Sequence, residues 1–219
     1  MKTTRARWRA ALWTCCALAL AACGGGGPPD QDGPAARTDV QGTALAARVA
    51  MTARLAVETS AKGAAGLQRV ANNVLGSSDY AVSVSELTPP YVLSALVANE
   101  TDYDRVYGLA LSPGVANLTP LTSLLVAQVF GQDPAAVFGG FGPAAGPNVG
   151  RATPASVAAA QRQLKAFIQE QLGIVIPAAA GDLITAPFRP VPGDPMFDTI
   201  AAVTAKLDAD GDTYQAFGH

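Results

Sequence analysis

Acidic side chains carry most of the chemistry this 219-residue chain can offer. Glu100, Asp102 and Asp104, interleaved with Tyr103, crowd three carboxylates into one short stretch. Two carboxylates held at the right separation divide acid and base work on a glycosidic bond, so a glycan hydrolase is one reading. A polar loop between two strands is the other, and the commoner origin of such a run. Asp208, Asp210 and Asp212 alternate as the first half of an EF-hand loop does. The sixth position, however, is Thr213 where that loop needs Gly, and the twelfth is His219 where it needs Glu. A solvated helix end with Gly211 as its turn accounts for the same residues. His219 is the only histidine, and at a frayed end it gives no fixed geometry for a Ser-His-Asp triad or a His-based metal site. The sequence contains no G-x-S-x-G, P-loop or G-x-G-x-x-G. Gly139, Gly140 and Gly142 neither follow a strand nor open a helix, so they belong to a loop. The sequence thus names no catalytic residue, no metal ligand and no cofactor.

The three cysteines sit near the start. Residues 1–9 carry Lys2, Arg5, Arg7 and Arg9 with no acid, and residues 10–22 are almost wholly apolar. A basic segment followed by a short apolar one is a secretory signal, too short to span a bilayer as a mature helix. The apolar run closes on Leu20, Ala21, Ala22, Cys23 and Gly24. This run resembles the lipobox of bacterial lipoproteins. The resemblance implies cleavage just before Cys23 and acylation of its thiol and new amino group; an ordinary signal peptide with an incidental cysteine is the alternative. One acyl chain binds a membrane marginally and two or three hold it firmly, so Cys23 is the expected anchor. Gly24, in the place where aspartate favours inner-membrane retention, points by the same resemblance to the outer membrane of a Gram-negative cell.

That expectation governs the rest of the cysteine and charge accounting. Cys15 and Cys16 leave with the signal and Cys23 is acylated, which excludes disulfides, thiolate zinc sites and a Cys nucleophile together. Removing the four basic residues before Cys23 leaves 11 of the 15 Lys plus Arg against 17 Asp plus Glu, a formal charge of −6. Such a chain repels nucleic acid.

Behind the anchor, Gly24–Thr38 is rich in Gly, Pro and Asp and reads as a flexible tether. Residues 39–114 then show strand signals. Tyr80, Val82 and Val84 alternate with Ser83 and Ser85 after a Gly76–Asp79 turn, Tyr91–Val97 is a buried-strand run behind Pro89 and Pro90, and Asn99–Asp102 is a polar loop before the run Arg105–Leu111. Val49–Val57 is ambiguous between helix and strand. From residue 115 to 210 the pattern turns helical. Thr119-Pro120, Asp133-Pro134, Thr153-Pro154 and Asp194-Pro195 each set a capping oxygen before a proline. They predict helices at Pro120–Phe130, Pro134–Phe138, Pro154–Leu172 and Met196–Leu207, with a loop over Gly139–Gly150. In the third, Val157, Leu164, Phe167, Ile168 and Leu172 form one stripe. The organisation read from sequence is a signal peptide (1–22), a tether (23–38), a sandwich (39–114), a helical region (115–210) and a tail (211–219). The fold class is α+β, a small antiparallel β-sandwich followed by helices.

The succession Asp79–Val84, Leu87–Leu93, Val106–Ala110 and Ala116–Thr122, sharpest in Asn117-Leu118-Thr119-Pro120-Leu121-Thr122, is similar to proteobacterial surface lipoproteins. Those carry a carboxypeptidase-regulatory-like, transthyretin-like β-sandwich before a helical region. The Ala-rich Leu45–Ala56 departs from the Gly-rich first hairpin of that family. The resemblance implies a sandwich fold and an envelope address but no activity, because such sandwiches serve mainly as accessory or binding modules. Three readings follow: a membrane-tethered module that binds an envelope protein or glycan; a structural or assembly subunit of an envelope complex; and a carboxylate-based hydrolase. For the anchor itself, replacing Cys23 by Ser is expected to abolish incorporation of labelled palmitate and release the protein from the membrane fraction.

Overall fold

The computed structural model describes residues 37–209 apart from 47–48 and 146–148, and these form seven strands in two sheets and four α-helices. Strand β1 (Asp39–Thr43) is central in a three-stranded sheet, between β4 (Asp79–Ser83) and β7 (Gly114–Val115). The second sheet has the order β3-β2-β5-β6, with β2 at Ala56–Gly63, β3 at Gln68–Asn72, β5 at Tyr91–Ala98 and β6 at Tyr103–Ala110. All pairings are antiparallel except β1 with β7, which run parallel. The inner faces share one core, to which the sheets give Val40, Val57, Tyr80, Val82, Leu93 and Val106. The fold is therefore α+β, with a sandwich-like pair of sheets preceding the helices.

The alternation of β4 is realised in its burial. Tyr80 and Val82 point inward and Ala81 and Ser83 outward, with Val84 buried just beyond the strand. The ambiguous Val49–Val57 forms no helix: residues 50–55 are turn and loop, and β2 starts at Ala56. Pairing along both of its edges makes β2 a strand despite its Ala, Glu and Lys content.

The four helices start where the X-Pro caps put them: α1 (Pro120–Phe130), α2 (Pro134–Gly140), α3 (Pro154–Leu172) and α4 (Pro195–Ala209). Thr119 and Thr153 form capping boxes with Thr122 and Ser156, and Asp133 accepts from the N–H groups of Ala135 and Ala136. Gly131 and Gly173 end α1 and α3 in the left-handed conformation, at φ 65° and 68°. Helix α2 takes in Gly139 and Gly140, which the sequence assigns to a loop, and Pro143–Ala145 adds a 3-10 turn. The ammonium of Lys62, on β2, accounts for the extension: it donates to the carbonyls of Phe138 and Gly139, groups a helix end otherwise leaves unsatisfied. Helix α1 is buried on nearly every side, from Leu121 and Thr122 to Val129 and Phe130. It packs on β6, α2, α3 and α4 and is the pillar of the helical half.

Sheets and helices are joined by the segment between β7 and α1. Asn117 is 3% exposed. Its Oδ1 accepts from the Thr43 N–H (3.2 Å), its Nδ2 donates to the Ala186 carbonyl (2.7 Å), and its own N–H donates to the Ile184 carbonyl (2.7 Å). Leu118 continues the contact, its N–H donating to the Thr43 carbonyl and its carbonyl accepting from Leu45. The buried phenol of Tyr80 donates to the Ala116 carbonyl, and burial pushes its pKa well above the usual tyrosine value. Two glycines make room for this segment. A Cβ on Gly42 would lie 2.4 Å from the Ala116 carbonyl oxygen, and one on Gly108 would lie 2.4 Å from a Leu118 methyl.

Among the described residues, Thr59 carries a fully buried hydroxyl with no hydrogen-bond partner. Removing it without changing side-chain shape should relieve a desolvation cost of about 1 kcal/mol, so Thr59→Val is expected to be more stable by that amount. Asn117→Ala strands the Thr43 N–H and the Ala186 carbonyl in the interior. A loss of about 3 kcal/mol is expected there, and urea titration followed by circular dichroism reads both changes.

Candidate functional site

The carboxylates that the sequence singles out build a turn. Asn99 closes the β5–β6 hairpin: its Oδ1 accepts from the N–H groups of Thr101 (2.9 Å) and Asp102 (2.8 Å), and its Nδ2 donates to the Ala50 carbonyl. Glu100 pairs with Arg54. Asp102 accepts from the Thr101 hydroxyl at 2.8 Å, and Asp104 from the Arg105 N–H at 2.7 Å. Glu100 and Asp102 lie open to water, with Tyr103 beside them 80% exposed. Asp208 sits in the last turn of α4. Cys23, Leu20, Ala21, Ala22, Asp210, Asp212 and His219 lie outside the described residues. Among the described residues, no cluster of three or more His, Cys, Asp or Glu side chains is placed to hold a metal ion.

The concave feature with the clearest character is an apolar groove of about 410 Å³. One wall is the stretch after β1, with Leu45, Val49 and Met51; the other is α4, with Phe197 and Ile200; Asp208 stands at one end. The chain holds both walls by local hydrogen bonds. On the first, Leu45 is tied to Leu118, and Ala50 to the Asn99 amide. On the second, Asp194 caps α4, its Oδ1 accepting from Met196 (3.0 Å) and Phe197 (3.3 Å) while its Oδ2 accepts from Arg189 (3.0 Å). The carboxylate of Asp198 takes the Gly193 N–H, so the turn carrying Pro190 and Pro192 is clamped against the helix start. Thr204 lines the groove, yet its hydroxyl bonds back to the Ile200 carbonyl at 2.9 Å. Among the described residues the walls are therefore mostly apolar, with Met51 38% exposed at the surface. Among the described residues no nucleophile and base face each other across them. The groove suits an apolar side chain or helix face more than a polar substrate.

Of the groove residues, the sequence singles out Asp208 alone, and for a different role, because the two walls lie far apart in the chain. The one local trace is Val49–Val57 itself, apolar without a settled period.

Compared with known proteins, the chain matches no family model, no curated protein and no solved structure. Among the described residues, no helix is long and apolar enough to cross a membrane.

The cap of α4 gives the fold a pH dependence. Burial raises the Asp194 pKa, but the N–H groups of Arg189, Phe197 and Met196, together with the Arg189 charge, outweigh it and hold the carboxyl below the usual carboxylate value. A carboxyl depressed in the folded state adds stability above its unfolded pKa and loses that share as pH falls through the folded one. Stability should therefore drop below about pH 4. In Asp194→Asn, where the amide still caps but does not titrate, the acid-side slope of melting temperature against pH is expected to be shallower.

Proposed function

We propose that this protein is a lipid-anchored component of the cell envelope, held by Cys23 on the tether that follows it, and that it acts as a non-enzymatic binding or accessory module. The observation that carries the reading is the contrast between its two candidate sites. The carboxylate stretch is consumed by a water-exposed hairpin turn and an Arg54 pair, whereas the groove that Leu45, Val49 and Met51 form with α4 is mostly apolar. A concave apolar surface without an aligned nucleophile and base binds rather than transforms. An apolar segment of an envelope protein fits it better than a glycan, whose hydroxyls would find few partners there. The resemblance of the Asp79–Thr122 phrases to surface lipoproteins, read from the sequence, is in keeping with the same assignment.

The test uses the full-length chain in its own membranes with a photo-crosslinking amino acid in place of Met51. A discrete adduct that disappears when Ile200 is replaced by Glu is expected, and a smear or no adduct counts against the groove. In parallel, peptidoglycan and polysaccharide are offered to the wild-type chain and to the Glu100→Ala, Asp102→Ala double variant. Equal absence of turnover is expected, and turnover lost in the variant would establish the hydrolase instead.

A further inference from the structure

We propose that β3 is a self-association edge, by which two copies of this chain pair antiparallel about Val70 and join their four-stranded sheets into one. The inference is independent of the groove and of the lipid anchor.

The two edges of the β3-β2-β5-β6 sheet are finished differently. At the β6 edge, Tyr107 is already engaged by α1: its N–H donates to the Ser123 hydroxyl at 2.8 Å and its carbonyl accepts from the Thr122 hydroxyl at 2.7 Å. Hydroxyls from a helix thus occupy the place of a further strand. Among the described residues no hydroxyl or strand bonds to the outer edge of β3; β4 runs close to β3 without pairing to it. The Gly63 N–H donates to the Leu67 carbonyl and the Asn73 N–H to the Val57 carbonyl, both at 3.0 Å. These bonds fix the phase of the ladder. By the alternation of an antiparallel pair, Arg69 and Ala71 turn their peptide groups towards β2, while Gln68, Val70 and Asn72 turn theirs outward.

Apart from Arg69, the side chains along that edge are apolar or neutral, where protected edges carry lysine, proline or a bulge. Leu67, Val70, Val74 and Leu75 are 53%, 55%, 79% and 64% exposed, which makes them four of the nine large apolar side chains exposed among the described residues. The only charge on the strand, Arg69, is neutralised by Glu86.

A second copy fits this edge because the edge is complementary to itself. With the two-fold axis at Val70, Val70 meets its own mate, Gln68 meets Asn72, and Arg69 faces Ala71, so no like charges oppose. Each outward peptide group of one strand finds an outward group of the other. The same axis sets the Leu67 end of each copy beside the Val74–Leu75 end of its mate, so the exposed apolar residues cover one another. One short strand per copy makes a small interface, of the weak and transient class.

The register makes the test specific. Cα atoms directly opposite in such a pair lie about 5.5 Å apart, within disulfide reach. Two Asn72 residues related by the axis would be roughly 13 Å apart, out of reach. Full-length chains carrying Val70→Cys, Gln68→Cys or Asn72→Cys are oxidised in membranes and run on non-reducing gels beside the unsubstituted chain. Val70→Cys is expected to give a disulfide-linked homodimer. Gln68→Cys and Asn72→Cys are expected to give one only when co-expressed, and that pair keeps the test sharp if Val70→Cys folds poorly. The proposal is overturned if no homodimer forms, if each single variant crosslinks equally, or if the adduct contains a different protein.

Discussion

One buried carboxamide holds the two halves of this molecule in register. Asn117 satisfies an N–H of β1 and a carbonyl of the segment that leads into α4, and neither group has water as an alternative. Around it the Thr119–Thr122 capping box starts α1, and the Thr122 and Ser123 hydroxyls reach back to Tyr107 on β6. A short run of polar side chains thereby fixes the helix pillar against the edge of one sheet and the centre of the other. The requirement for Gly42 and Gly108 follows from the same crowding. The sharpest sequence feature of the chain is, on this geometry, a joint.

That joint also explains how far the fold was legible in the sequence. Helix starts were readable because their cause is local: Thr or Asp before proline supplies both the acceptor and the backbone angle. Strands β4, β5 and β6 were readable because alternation or continuous apolar character is written within each. Strands β1, β2, β3 and β7 were not. Asp39–Thr43 contains a single large apolar side chain, Ala56–Gly63 contains good helix formers, and β7 is two residues long. Their conformation is set by partners distant in sequence, Val40 with Val82 and Gly114, Ser60 with Ser94.

The candidate sites divide in the same way. The carboxylates of the β5–β6 hairpin were visible as residue types, but their occupation was not, since Arg54 approaches Glu100 from a remote part of the chain. The groove was invisible, because Leu45, Met51 and Phe197 acquire a shared purpose only once Asn117 has brought β1 and the approach to α4 together. Chemistry-bearing side chains announced turns and caps, and the concave surface arose from residues with no chemistry to announce.

The central position of β1 has a mechanical meaning. The chain enters the described structure directly into a strand bonded on both sides, antiparallel to β4 and parallel to β7. Tension applied upstream of Asp39 therefore runs along that strand and loads both ladders and the Thr43–Asn117 contact in shear. They share the force, where a strand at the border would peel away one bond at a time. A body dragged by its leading end would resist through a strand braced on both sides.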